Sequence, residues 1–89
     1  MLEQNIEIIN KLGLHARSAA KLVNTASRYA SRVEIEYKSQ VADAKSIMSV
    51  LILAAAQGSH IIVRCSGSDE KAAMEAVTAL INNMFDEDE

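Results

Sequence analysis

The sequence predicts an α+β fold, a two-layer sandwich in which a four-stranded antiparallel sheet carries three helices on one face in the order βαββαβα. Three observations point to it. Residues 32–38 alternate strictly, with Val33, Ile35 and Tyr37 opposite Arg32, Glu34, Glu36 and Lys38, the mark of a strand buried on one side. Residues 16–30 repeat small apolar side chains at helical spacing, and residues 60–66 are β-branched and apolar on one face. Strands with a single apolar face are satisfied by one helical layer.

Taken in order, residues 2–9 alternate loosely, with Leu2, Ile6 and Ile8 against Glu3, Asn5 and Glu7, and form the first expected strand. A helix is expected over Ala16 to Tyr29, its narrow stripe made of Ala16, Ala19, Ala20, Val23, Ala26 and Ala30. After the strand at 32–38, a turn at Ser39 and Gln40 leads to a brief strand over Val41 to Asp43. Residues 47–57 are apolar nearly all round and stop at Gly58, which predicts a short helix ending at glycine. His60 to Ser66 is the fourth strand, bounded by Ser66-Gly67-Ser68. Ser68-Asp69-Glu70 then opens a last helix with the stripe Ala73, Val77, Leu80, Ile81 and Met84. The acidic residues 86–89 are expected to be a solvated, mobile tail.

Composition narrows the function classes. The chain has 89 residues, one domain's worth at a size where folding buries only about 60% of the extended-chain surface. Hydrophobic residues make up 49% and aromatics 3%, so the core is aliphatic and closely packed. The single cysteine, Cys65, cannot form an internal disulfide, and the start MLEQNIEII does not read as a signal peptide; a cytoplasmic location is expected. The longest apolar run, Val50 to Ala56, is far below the roughly 20 residues that span a bilayer. The net charge is −3, yet the stretch Lys11 to Lys45 holds seven basic residues against three acidic ones. With a pI near 5.3 and few aromatics to stack bases, nucleic acid is excluded, and a single phosphate or an acidic protein surface fits this cationic region better.

Two helix starts carry the wrong charge. A helix N-terminus favours anions and disfavours Lys or Arg by about 0.3–1 kcal/mol, but Arg17 stands in the opening turn after Gly13-Leu14-His15-Ala16, and Lys45 precedes Ser46. An absent anion would resolve both. Beside the first site is His15, and a neutral imidazole nitrogen is a nucleophile. A phosphoryl group on it would face the backbone N–H groups of Ala16, Arg17 and Ser18, with the Arg17 guanidinium as a forked donor. Gly13 would permit a tight turn before it. The plainer reading is that His15 caps the helix and Arg17 lies over it.

Gly-Leu-His-Ala-Arg at 13–17, Lys-Ser-Ile-Met at 45–48 and Ala-Gln-Gly at 56–58 resemble the histidine-containing phosphocarrier family HPr over the whole chain. The resemblance implies an open-faced β-sandwich in which His15 is phosphorylated on Nδ1 by Enzyme I of the phosphoenolpyruvate-dependent phosphotransferase system. His15 would then pass the group to a histidine of an EIIA-type acceptor. It also implies Ser46 as a site for HPr kinase/phosphorylase, and a docking surface of Lys45, Ile47, Met48, Val50, Leu51 and Ile52. A monomeric carrier without a cofactor is expected, not an enzyme in its own right. One departure stands out. Ser18 occupies the place of the family's usual proline, which is expected only to loosen the site, so that Ser18→Pro would stabilise modestly.

The remaining candidates have ordinary roles. Serine is among the best N-caps, which alone accounts for Ser46. His60 has no second ligand at metal spacing, so no metal site is expected, and Cys65 reads as a small core residue. Of three function classes, a phosphocarrier needs His15 and Arg17 and has both. A purely regulatory protein acting through Ser46 leaves His15 unexplained, and a free-standing hydrolase lacks a pocket or cofactor motif.

Overall fold

A computed structural model describes residues 1–87. The strands are β1 (Leu2–Glu7), β2 (Arg32–Tyr37), β3 (Gln40–Asp43) and β4 (His60–Ser66); the helices are α1 (Ala16–Ala26), α2 (Ile47–Leu53) and α3 (Glu70–Asn82), followed by a 3-10 turn at Met84–Asp86. The order matches the expectation. All pairings are antiparallel in the spatial order β1-β4-β2-β3, so the two central strands come from distant parts of the sequence.

Alternation places Ile6, Val33, Ile35, Ile61, Val63 and Cys65 on the covered face, each buried. Leu22, Ala26, Val50, Val77, Ile81 and Phe85 reach them from the helical layer. The other face stays open and polar. There Arg64 on β4 bridges Glu3 on β1, at 3.1 Å, and Glu36 on β2, at 2.8 Å, a cross-strand charge ladder of the kind that supports an exposed sheet face. The β2–β3 hairpin turns through Lys38 and Ser39, both at positive φ (49° and 68°), one residue earlier than expected; positive φ at both loop residues suits the twist of a two-residue hairpin.

Three expectations about the helices are corrected. In α1 the core side is Ser18, Ala19, Leu22 and Ala26, whereas Ala16 and Ala30 are exposed; spacing alone does not tell which of two adjacent alanine rows faces the sheet. In α2 the helix stops at Leu53, not Gln57, because Ala54 turns left-handed (φ 51°, ψ 37°) and the Ala55 carbonyl accepts from the Leu14 N–H at 2.8 Å. A tertiary backbone bond thus overrides helix propensity. In α3, Asp69 does not cap its own helix; its carboxylate accepts from the Ala30 and Ser31 N–H groups, each at 2.9 Å, and from the Ser31 hydroxyl. The Ser31 hydroxyl is the largest of these influences holding the Asp69 carboxyl below its ordinary range.

Nor does a free tail begin after Phe85: Asp86 is exposed as expected but held in a turn, and Glu87 is folded inward. Phe85 is fully buried, Asp86 belongs to the 3-10 turn, and the Glu87 side chain is 9% exposed; the remainder of the expected tail, residues 88 and 89, lies outside the described residues.

Ala54 is exposed, and an alanine in the left-handed region costs about 1–2 kcal/mol. Ala54→Gly relieves that cost while adding unfolded-state entropy. The expected outcome is a gain of about 0.5–1 kcal/mol in denaturant unfolding with an unchanged m-value.

Candidate functional site

The site is built on the turn between β1 and α1. Gly13 lies at φ +64°, and a Cβ there would come within 2.5 Å of the Ala55 carbonyl oxygen and 2.8 Å of the Ala56 Cα. No side chain fits, so the loop seats directly on the segment following α2. Asn10, fully buried, donates through Nδ2 to the Gly13 carbonyl at 2.8 Å, and the Ser18 hydroxyl donates to the same oxygen at 2.8 Å.

His15 follows as the N-cap of α1, its backbone extended (φ −123°, ψ −176°). Its N–H donates to Ser18 Oγ at 2.9 Å and its carbonyl accepts from the Ala19 N–H at 2.8 Å. Ser18 is therefore wholly buried and occupied on both sides of its hydroxyl. This corrects the expectation that it merely loosens the position: proline there would remove the group that ties His15 to Gly13.

The imidazole is held at both nitrogens. The Arg17 N–H donates to Nδ1 at 3.3 Å, the long end of the hydrogen-bond range, and Nε2 lies 2.6 Å from the Glu87 carboxylate. With Nδ1 accepting, the ring proton belongs on Nε2. Glu87 is anchored in turn by Asn10, whose Nδ2 reaches its other oxygen at 2.8 Å. Desolvation pushes the Glu87 carboxyl up, but the hydrogen bonds from Asn10 and His15 outweigh it, so it titrates below the ordinary carboxylate range. Lys21 of α1 secures the same segment by donating to the Phe85 carbonyl at 2.7 Å.

Arg17 is exposed, and among the described residues its guanidinium has no hydrogen bond or ion pair. It is a forked cation in the first turn of the helix that His15 caps, a combination chemically suited to a tetrahedral anion. Among the described residues no group of three His, Cys, Asp or Glu side chains could hold a metal ion, and no helix is long and apolar enough to cross a membrane.

The second site is less uniform. Ser46 is the N-cap of α2, its Oγ accepting weakly from the Ser49 N–H at 3.4 Å. Lys45 does not await an anion: its ammonium donates to the Tyr29 carbonyl at 2.8 Å, neutralising the end of the turn after α1. Met48 (64%), Ile52 (66%) and Ile47 (39%) are exposed and Leu51 half-buried, but Val50 is fully buried in the core and cannot meet a partner. Leu12 (67%) joins the exposed apolar side chains from the loop that rests on α2's exit.

Asn10, Lys21 and Glu87 went unmarked in the sequence. A buried amide and a carboxylate separated by 77 positions leave no periodic trace; only the isolated polar Asn10 after two isoleucines hinted at a special position.

Ser18→Ala removes the hydroxyl that joins the His15 N–H to the Gly13 carbonyl. Loss of such a cap costs typically ~1 kcal/mol, and a lower thermal midpoint with an unaltered circular dichroism spectrum is the expected result.

The family model described as the PTS HPr component phosphorylation site matches residues 2–83. The phosphocarrier protein HPr of Xylella fastidiosa is 50% identical over 88 residues, covering 99% of each chain. That of Cupriavidus necator is 48% identical over the full length of both. Among solved structures, an HPr from Thermoanaerobacter tengcongensis superposes with a TM-score of 0.96 at 42% identity, covering 100% of each chain.

Proposed function

The chain belongs to the HPr family, the phosphocarriers of the phosphotransferase system, and we propose that His15 is the residue on which it carries the phosphoryl group, taking it from Enzyme I and delivering it to an EIIA-type histidine. The observation that carries this reading is the His15 ring itself. Its Nδ1 faces the first turn of α1 through a long contact to the Arg17 N–H, while the proton sits on Nε2. The Nδ1 lone pair attacks phosphorus as the donor's bond to phosphorus breaks, and no proton has to leave the ring. The N–H groups of Ala16, Arg17 and Ser18 and the Arg17 guanidinium then share the phosphoryl charge.

Delivery to another protein needs an open site, and His15 is 28% exposed at the edge of the fold. Partners dock on Leu12, Ile47, Met48 and Ile52, with Leu51 beneath them and cationic Arg17 meeting acidic partner residues. Val50 and Lys45 take no part, since one is core and the other is bound to Tyr29. The molecule works as a stoichiometric, monomeric, cytoplasmic carrier without a cofactor. A purely regulatory protein would have no use for this arrangement of His15 and Arg17.

Incubation with Enzyme I, magnesium and phosphoenolpyruvate is expected to add one acid-labile, alkali-stable phosphoryl group. Intact mass spectrometry of His15→Ala checks it; a label that persists there overturns the assignment. Arg17→Glu should keep the fold and slow transfer strongly, and transfer at the wild-type rate would reduce the arginine to a surface residue.

Phosphorylation of Ser46 by an HPr kinase is the regulatory arm of the same reading. It adds about two negative charges at the start of α2, where the helix dipole favours them, beside the Met48 surface. Ser46→Asp is expected to be at least as stable as wild type yet slower to accept phosphate from Enzyme I, with the defect shrinking as salt rises. Kinetics of Ser46→Asp and Ser46→Ala at two ionic strengths decide it, and equal rates at low salt would leave Ser46 a cap.

A further inference from the structure

Resting on the reading of His15 as acceptor, we propose that Glu87 is a positioning residue for phosphoryl transfer: it holds the imidazole with its proton on Nε2, leaving the Nδ1 lone pair for phosphorus, and it balances the charge the ring gains when the bond forms. Its Oε2 lies 2.6 Å from Nε2, a charge-assisted distance, and its Oε1 is fixed by buried Asn10 at 2.8 Å. Glu87 is therefore clamped between the ring and the loop that carries it.

The backbone leading to Glu87 is costly. Met84, Phe85 and Asp86 are three consecutive non-glycine residues in the left-handed region, at φ 55°, 54° and 62°. Such a run persists only where its surroundings impose it. Here it is held by burial of Phe85, by Lys21 on the Phe85 carbonyl at 2.7 Å and by the Asn83 amide on the Asp86 carboxylate at 2.7 Å. What the run achieves is to reverse the chain after α3 and bring the Glu87 carboxylate onto the ring.

The charge balance gives this placement a purpose. When neutral His15 attacks, Nδ1 gains a bond to phosphorus, the donor loses one, and the Nε2 proton stays, so the ring becomes a cation. A carboxylate already facing Nε2 stabilises that cation without reorganisation. Glu87 lies on the opposite edge of the ring from Nδ1, and Lys21 draws on its charge, which limits its repulsion of the incoming phosphoryl group.

The test uses the full chain as wild type, Glu87→Gln and Glu87→Ala. Single-turnover phosphorylation by Enzyme I is followed by intact mass, and nitrogen-15 NMR of the His15 ring is recorded in parallel. The alanine variant is expected to transfer about 10-fold more slowly, as befits loss of one hydrogen bond to a charged group, with the glutamine variant between it and wild type. Its His15 ring nitrogens should shift, and its thermal midpoint should fall modestly, because Asn10 loses the same carboxylate, with the circular dichroism spectrum unchanged. An alanine variant that labels His15 at the wild-type rate overturns the proposal and leaves the acceptor assignment standing. A slow variant whose ring nitrogens do not move also overturns it, because the effect would then come from partner contact. Wild type that takes no label on His15 overturns both.

Discussion

The absence of a side chain at Gly13 is the constraint on which the site rests. Because the loop there lies against backbone, with the Ala55 carbonyl 2.5 Å from where a Cβ would sit, its position is set by main-chain contact and not by side-chain packing that could yield. The neighbouring Leu14 N–H seals the contact by donating to that same Ala55 carbonyl at 2.8 Å. Two elements distant in sequence, the turn before α1 and the exit from α2, are locked to each other. The His15 ring and the exposed apolar side chains of α2 consequently keep a fixed relation.

From that lock the polar interior follows. The Gly13 carbonyl receives two donors, Asn10 Nδ2 and Ser18 Oγ, each at 2.8 Å. The same two side chains also hold Glu87 and the His15 N–H. A buried polar cluster is expensive unless its members satisfy one another. Here satisfaction is nearly complete, the Asn10 Oδ1 being a buried acceptor without a partner among the described residues. The cluster converts the position of a carbonyl into the orientation of an imidazole.

Much of this was legible in the sequence, for identifiable reasons. Strands with strict alternation, such as residues 32–37 and 60–66, declare both their type and their buried face, and His15 beside Arg17 at a helix start violates a simple electrostatic preference and so draws notice. The end of α2 was not legible, because Ala54 has no local reason to turn left-handed; the reason is Leu14, forty residues away in sequence. Val50 could not be told from Met48 or Ile52 in a run apolar on every side. Ser18 was read only against the proline it replaces, which hid its hydroxyl's bonds to Gly13 and His15, and Glu87 was read as part of a solvated acidic run, while it is drawn inward by Asn10 and His15, far away in sequence.

The strand order has a consequence for the life of the chain as it is made. β1 has no partner other than β4, pairing Leu2 with Cys65 through to Glu7 with His60, and β2 too lies against β4. Until residue 66 has cleared the ribosome, the first third of the chain has no sheet to join, and its apolar side chains must wait uncovered or in chaperone hands. Long-range pairing of this kind also slows closure relative to a helical bundle of the same size. His15, specified early in the sequence, thus gains its ordered surroundings among the last, since the loop that carries it follows β1 and its ring is met by Glu87 from the far end of the described chain.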